Sequence, residues 1–74
     1  MCTFIFRYEN DTQHSFEHII SVEYSKAGHS VTVNEKDFLS HRFPINTALY
    51  LFSDDSCYTV NGNNLSYIEV RKEK

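Results

Sequence analysis

Tryptophan is absent from these 74 residues, proline occurs once, and glycine and cysteine twice each; seven Lys and Arg face ten Asp and Glu. Each shortage excludes something. Without an excess of clustered Lys and Arg, at net charge −3, the chain lacks the electrostatic footprint of a general nucleic-acid or anionic-membrane binder. Two cysteines, Cys2 and Cys57, stand in no metal or redox spacing and are too few for the disulfide framework of a short secreted chain. No Gly-rich phosphate loop and no nucleophile elbow occurs. No run approaches the roughly 20 apolar residues of a membrane-spanning helix. The opening apolar run, Cys2-Thr3-Phe4-Ile5-Phe6-Arg7, is too short for a secretory signal and has no basic stretch before it, so a cytoplasmic location is expected. Asn10-Asp11-Thr12 and Asn64-Leu65-Ser66 match the glycosylation acceptor pattern and, without such a signal, read as turn chemistry.

What is present is apolar and aromatic: 41% hydrophobic and 15% Phe and Tyr, too much for a disordered chain. The length allows one small β domain, residues 1–74, of the size class that buries only about 60% of its unfolded surface. Period-two alternation runs along most of it. Residues 2–8 set Phe4, Phe6 and Tyr8 on one side and Thr3, Ile5 and Arg7 on the other. The polar stretch 9–15 reads as a loop, and a second strand is expected over 17–24 with Ile20, Val22 and Tyr24 on a common face. Lys26-Ala27-Gly28-His29 is a tight turn, because Gly28 takes the positive φ such turns require. Pairing across it sets Tyr24 opposite Val31 and Val22 opposite Val33, so the apolar sets agree in register.

After Val33 the pattern changes. Asn34 is a good N-cap, Asp37 falls in the first turn, and Pro44 stops the segment, which predicts one or two helical turns over 35–41. Turns at Ser53-Asp54-Asp55-Ser56 and Asn61-Gly62-Asn63-Asn64 then divide three strands near 47–52, 57–60 and 65–71. Asn-Gly between alternating apolar residues is a strong hairpin signal. The expected architecture is all-β with one short helical segment: about six strands in a small antiparallel partly closed barrel or sandwich, ending in a three-stranded meander. Its expected core is Phe4, Phe6, Ile20, Val22, Val31, Val33, Leu49, Leu51, Tyr58, Val60 and Leu65, with Tyr67 on the same face of the meander.

The meander poses a problem. Pairing symmetrically about both turns puts Tyr50, Phe52, Ile68 and Val70 together on the face opposite the core, along with Cys57 and Thr59. A solvated face would not collect these side chains. Either the segment holding Phe38, Leu39 and Phe43, or the Phe4/Phe6/Tyr8 strand, covers it from within, or a partner protein or second copy covers it from outside.

Chemistry-bearing residues are sparse. His14 and His18 are four apart but straddle a loop and a strand start with no supporting ligand, so no metal site is expected, and His29 and His41 add none. Cys57 on a strand reads as a small buried hydrophobe, and Cys2 as an exposed terminal thiol. Asp54 and Asp55 make a turn. Arg71, Lys72 and Lys74 read as a solvated terminus. No catalytic constellation, cofactor or enzyme is expected.

SVEYSKAGHSVTV, the short helical crossover and the ending YIEVRKEK resemble small orphan all-β proteins of Gram-positive bacteria and their prophages. That resemblance implies a bacterial or mobile-element setting and carries no activity with it. The function expected is a non-catalytic protein-interaction module, able to self-associate, acting through Tyr50, Phe52, Ile68 and Val70. The alternative is a small barrel that stacks single-stranded nucleic acid on Tyr50 and Phe52.

Overall fold

The computed structural model describes Met1–Lys74 throughout. Seven strands form: β1 (Cys2–Tyr8), β2 (Gln13–Ile19), β3 (Ser21–Lys26), β4 (His29–Asn34), β5 (Leu49–Phe52), β6 (Cys57–Val60) and β7 (Leu65–Lys72). They make two antiparallel sheets, ordered β2-β1-β7 and β4-β3-β5-β6. The sheets stack in a sandwich-like arrangement and do not close into a barrel. No helix is long and apolar enough to cross a membrane.

The hairpin at Ala27-Gly28 forms as its sequence demands. Both residues take positive φ, 50° and 81°, the signature of the tight turn whose twist matches its strands. The register pairs Tyr24 with Val31 and Val22 with Val33.

Strand number is corrected from six to seven. The stretch 9–15 is a loop only to Thr12, where Asp11 takes φ 67° and Tyr8 N–H donates to the Thr12 carbonyl at 2.9 Å. Gln13, His14 and Ser15 already belong to β2, a sheet edge. An edge strand with wetted side chains carries no apolar alternation, so its sequence resembles a loop. The expected strand 17–24 is two strands broken at Ile20, whose N–H donates to Phe52 and whose carbonyl accepts from Glu35. Ile20 thereby passes the chain from the first sheet to the second, and its side chain is 36% exposed instead of buried with Val22 and Tyr24.

The expected helix over 35–41 reduces to a 3₁₀ turn at Glu35–Asp37, with Asn34 extended and making no side-chain cap. Beyond it, Ser40 and His41 N–H both return to the Asp37 carbonyl. Phe38 is driven into the core, where its ring meets Phe4 edge-on at 5.0 Å, and Phe43 meets Phe4 at 5.3 Å. Burying Phe38 and packing the half-buried Phe43 against the core take precedence over continuing a helix.

The meander is also corrected. β5 and β6 pair as expected, Leu49 with Val60 and Leu51 with Tyr58, but β7 leaves β6 and runs antiparallel to β1. Two causes are visible. β6 has four residues against the eight of β7, whereas β1 matches β7 over seven register pairs. And Gly62, instead of turning a hairpin, is buried against the 45–47 loop.

One cluster of 12 buried residues joins the sheets: Cys2, Phe4, Phe6, Ile19, Val22, Tyr24, Val33, Phe38, Leu49, Leu51, Val60 and Leu65. Tyr58 and Tyr67, expected inside, are 38% and 51% exposed. Tyr58 points inward at the open end of the second sheet, against Phe16 at 5.0 Å. Tyr67 is turned outward by a bulge described next.

Candidate interaction surface

The four residues expected to share a face lie on two sheets. β1 and β7 pair Arg7 with Tyr67 but Tyr8 with Leu65, which leaves Ser66 as an extra residue. A bulge of this kind shifts the parity of a strand by one. Leu65 therefore faces in, Tyr67 faces out beside Arg7, and Ile68 and Val70 face in, opposite Phe6 and Phe4. Both are half-buried and pack on the core. Their apolar character is thus accounted for from within.

Tyr50 and Phe52 remain on the outer face of the second sheet. The registers place them in two cross-strand rows, Thr32–Glu23–Tyr50–Thr59 and Asn34–Ser21–Phe52–Cys57. β5 is an interior strand, so neighbours on both sides hold these aromatics in place. Tyr50 is 38% exposed, Phe52 is half-buried, and Thr59 and Cys57 are exposed. Glu23 is the sole charged side chain in either row.

The outer face of the first sheet differs in chemistry. Ile5 points outward yet is only 5% exposed, in a cross-strand row between Ser15 and Glu69. Arg7 reaches Gln13 and Glu69 and lies over the Tyr67 ring, 5.7 Å from its centroid. The Arg71 guanidinium bonded to Glu69 holds that carboxyl below its ordinary range, with Arg7 adding to the effect. Glu73 is a three-way clamp: its carboxylate accepts from the His18 N–H at 2.7 Å, meets His18 Nδ1 at 2.8 Å and accepts from Thr3 Oγ1 at 2.9 Å. The backbone N–H is the largest cause that lowers its pKa. The expected solvated terminus is therefore structured: Arg71 and Lys72 end β7, and Glu73 crosses β1 to reach β2.

The cysteines exchange roles. Cys2 is 4% exposed, and burial pushes its thiol up; Cys57 is exposed. The chain start is held instead by its amino group, 2.9 Å from Glu35, which raises that group's pKa. His14 lies against Tyr8, His18 serves the Glu73 clamp, and His41 Nε2 meets the Tyr24 hydroxyl at 2.7 Å. No group of three His, Cys, Asp or Glu side chains is placed to share a metal ion. The largest hollow, about 520 Å³, is an open one between the 9–12 and 61–64 turns among Tyr8, Glu9, Asn10, His14 and Asn63.

Compared with protein-family models, curated proteins and solved structures, the chain matches none. Its candidate site rests on geometry alone. On that geometry, sequence reasoning placed Tyr50 and Phe52 on an outer face and misplaced Ile68 and Val70, because nothing in LSYIEV marks Ser66 as a bulge. It also missed Glu73 as a clamp: a lone carboxylate among basic residues near the chain end carries no signal of a contact 55 residues away.

Proposed function

We propose that this chain is a non-catalytic protein-interaction module whose docking surface is the outer face of the second sheet, centred on Tyr50 and Phe52. The observation that carries the reading is the pair of rows across that sheet: two aromatics on an interior strand, exposed or half-exposed, among neighbours of which only Glu23 is charged. Amphipathic tyrosine and neighbouring apolar area on a rigid support are what interface centres are built from. The absence of Lys and Arg from both rows favours a protein over a nucleic acid, since backbone-tracking grooves interleave basic residues with stacking rings.

A photo-crosslinking residue at position 50 tests the reading. In extract of the source cells it should give a discrete protein adduct that the same residue at Asn10 does not. Phe52→Asp should abolish the adduct without changing the circular dichroism spectrum. Equal labelling from both positions defeats the proposal, and so does salt-sensitive binding of single-stranded DNA that Phe52→Asp removes.

A further inference from the structure

Four strand edges end the two sheets, and three of them are blunted. β2 carries a bulge: Cys2 pairs with Ile19 and Phe4 with Phe16, so Glu17 and His18 oppose Thr3 alone. His18 has φ 62° there, and its N–H is already taken by Glu73. β7 is laced with Glu69, Arg71 and Lys72. β6 has only four residues and follows Asp54-Asp55. Bulges, charges and shortness are the recognised guards against edge-to-edge pairing.

β4 has none of them. His29-Ser30-Val31-Thr32-Val33-Asn34 contains no Asp, Glu, Lys, Arg or Pro and keeps an unbroken register with β3. Its hydrogen-bonding direction follows from the hairpin. In a two-residue turn the closing pair, Lys26 and His29, exchanges hydrogen bonds, and bonded pairs alternate from there. Val31 and Val33 therefore bond to β3, as the Glu35 N–H to Ile20 carbonyl bond two residues further on corroborates. Ser30, Thr32 and Asn34 point their N–H and C=O groups away from the sheet, and no loop or side chain of the molecule bonds to them.

We propose that β4 is a strand-addition site whose occupant is a second copy of this chain, docked antiparallel about a two-fold axis at Thr32. The occupant follows from self-complementarity. Outward-pointing groups meet only when Ser30, Thr32 and Asn34 face one another, and overlap is greatest with Thr32 opposite Thr32 and Ser30 opposite Asn34 of the second copy. That register also sets Val31 opposite Val33 on the inner side, so buried faces Val and exposed faces hydroxyl or amide. A two-fold axis sets any charge near it against its own copy; β4 itself carries none, and the nearest in the Thr32 row, Glu23, lies one strand further from the axis. Thr–Thr and β-branched cross-strand pairs are among the favourable ones. The second sheets of both copies would then form one continuous eight-stranded sheet, with both Tyr50/Phe52 clusters free on its outer face. The edge and the face are different surfaces, and each proposal stands without the other.

Sedimentation equilibrium of the full chain, from low micromolar to near-millimolar concentration, tests it with Thr32→Lys, Thr32→Glu and their equimolar mixture. The wild-type chain should dimerise reversibly. Each variant, with like charges meeting on the axis, should dimerise at least about tenfold more weakly, and the mixture should recover the dimer. A wild-type chain that stays monomeric, a dimer indifferent to Thr32→Lys, or a mixture that fails to recover would overturn the proposal. Amide hydrogen exchange on the wild-type chain decides the matter should the variants misfold. Protection of the Ser30, Thr32 and Asn34 amides should rise with concentration while that of Val31 and Val33 stays level; no rise refutes the pairing. Loss of the position-50 adduct with an intact dimer would count against the face alone.

Discussion

Gly62→Ala should destabilise the fold although the change adds a single methyl group. A Cβ at this position would clash with the Thr47 carbonyl oxygen and lie 2.9 Å from that of Ile45 and 2.9 Å from Thr47 N. All three neighbours are backbone atoms, so no side chain can swing away. Relief takes a shift of the 61–64 turn or the 45–47 loop, and overpacking of this kind costs about 1–3 kcal/mol. Reduced freedom of the unfolded chain offsets about 0.4–1 kcal/mol of that, leaving a net loss of about 1–2 kcal/mol. For a domain of this size the melting temperature should fall by about 4–8 °C per kcal/mol. Gly28→Ala provides the contrast. Nothing lies within 4 Å of its Cβ, but its φ is +81°, so it should lose about 1 kcal/mol through backbone strain alone. Thermal and urea unfolding followed by circular dichroism, with an unchanged urea slope, measure both. A Gly62→Ala protein as stable as the wild type would refute the reasoning, since the turn or the 45–47 loop could then shift without cost.

Phe38→Ala removes a ring that is 1% exposed and edge-on to Phe4; a loss of about 3–5 kcal/mol is expected by urea titration, enough to unfold much of a marginal domain. The carboxyl of Glu73 titrates below its ordinary 4.5 in the folded chain, so its clamp stabilises above the unfolded value and is lost as pH falls through the folded one. The stability difference between wild type and Glu73→Gln should therefore be present near neutrality and vanish on acidification, and a pH-independent difference would contradict the clamp. Maleimide should label the exposed Cys57 of the native chain and leave the buried Cys2 unmodified until urea opens the fold; two rapid labels in native buffer would show that β1 is not packed as described.

Local patterns were legible where one residue pair decided them. Ala27-Gly28 marks its turn, and the apolar pairs Tyr24–Val31 and Val22–Val33 across it give the register from sequence alone. Phe4, Phe6, Val22, Val33, Leu49, Leu51, Val60 and Leu65 were legible as core from parity, and all are buried. What was not legible lies where parity is broken by one residue. Ser66 and His18 are bulged and Ile20 is a corner, and each resets which side of the chain is inside. A polar residue does the same thing to a pattern whether it is bulged or simply facing water. Non-local pairing is hidden for a related reason: β7 has equal local claims on β6 and β1, and only the length of β1 and the packing of Gly62 separate them.

The same three interruptions decide which surfaces are left for the proposed partner. Had Ser66 kept the ladder regular, Tyr67 would turn inward with Leu65, Ile68 and Val70 would face water, and the first sheet would carry an apolar outer stripe. With the bulge they line the core opposite Phe4 and Phe6, and the outer face of that sheet is left to Arg7, Glu69, Arg71 and Glu73. The His18 bulge, pinned by Glu73, likewise removes β2 as a template for pairing. Charge and irregularity are concentrated on the first sheet, and the second retains the uncharged edge and the aromatic face. The proposed docking face and the proposed pairing edge therefore both fall on the sheet where an uncharged edge strand and fixed aromatics are left together.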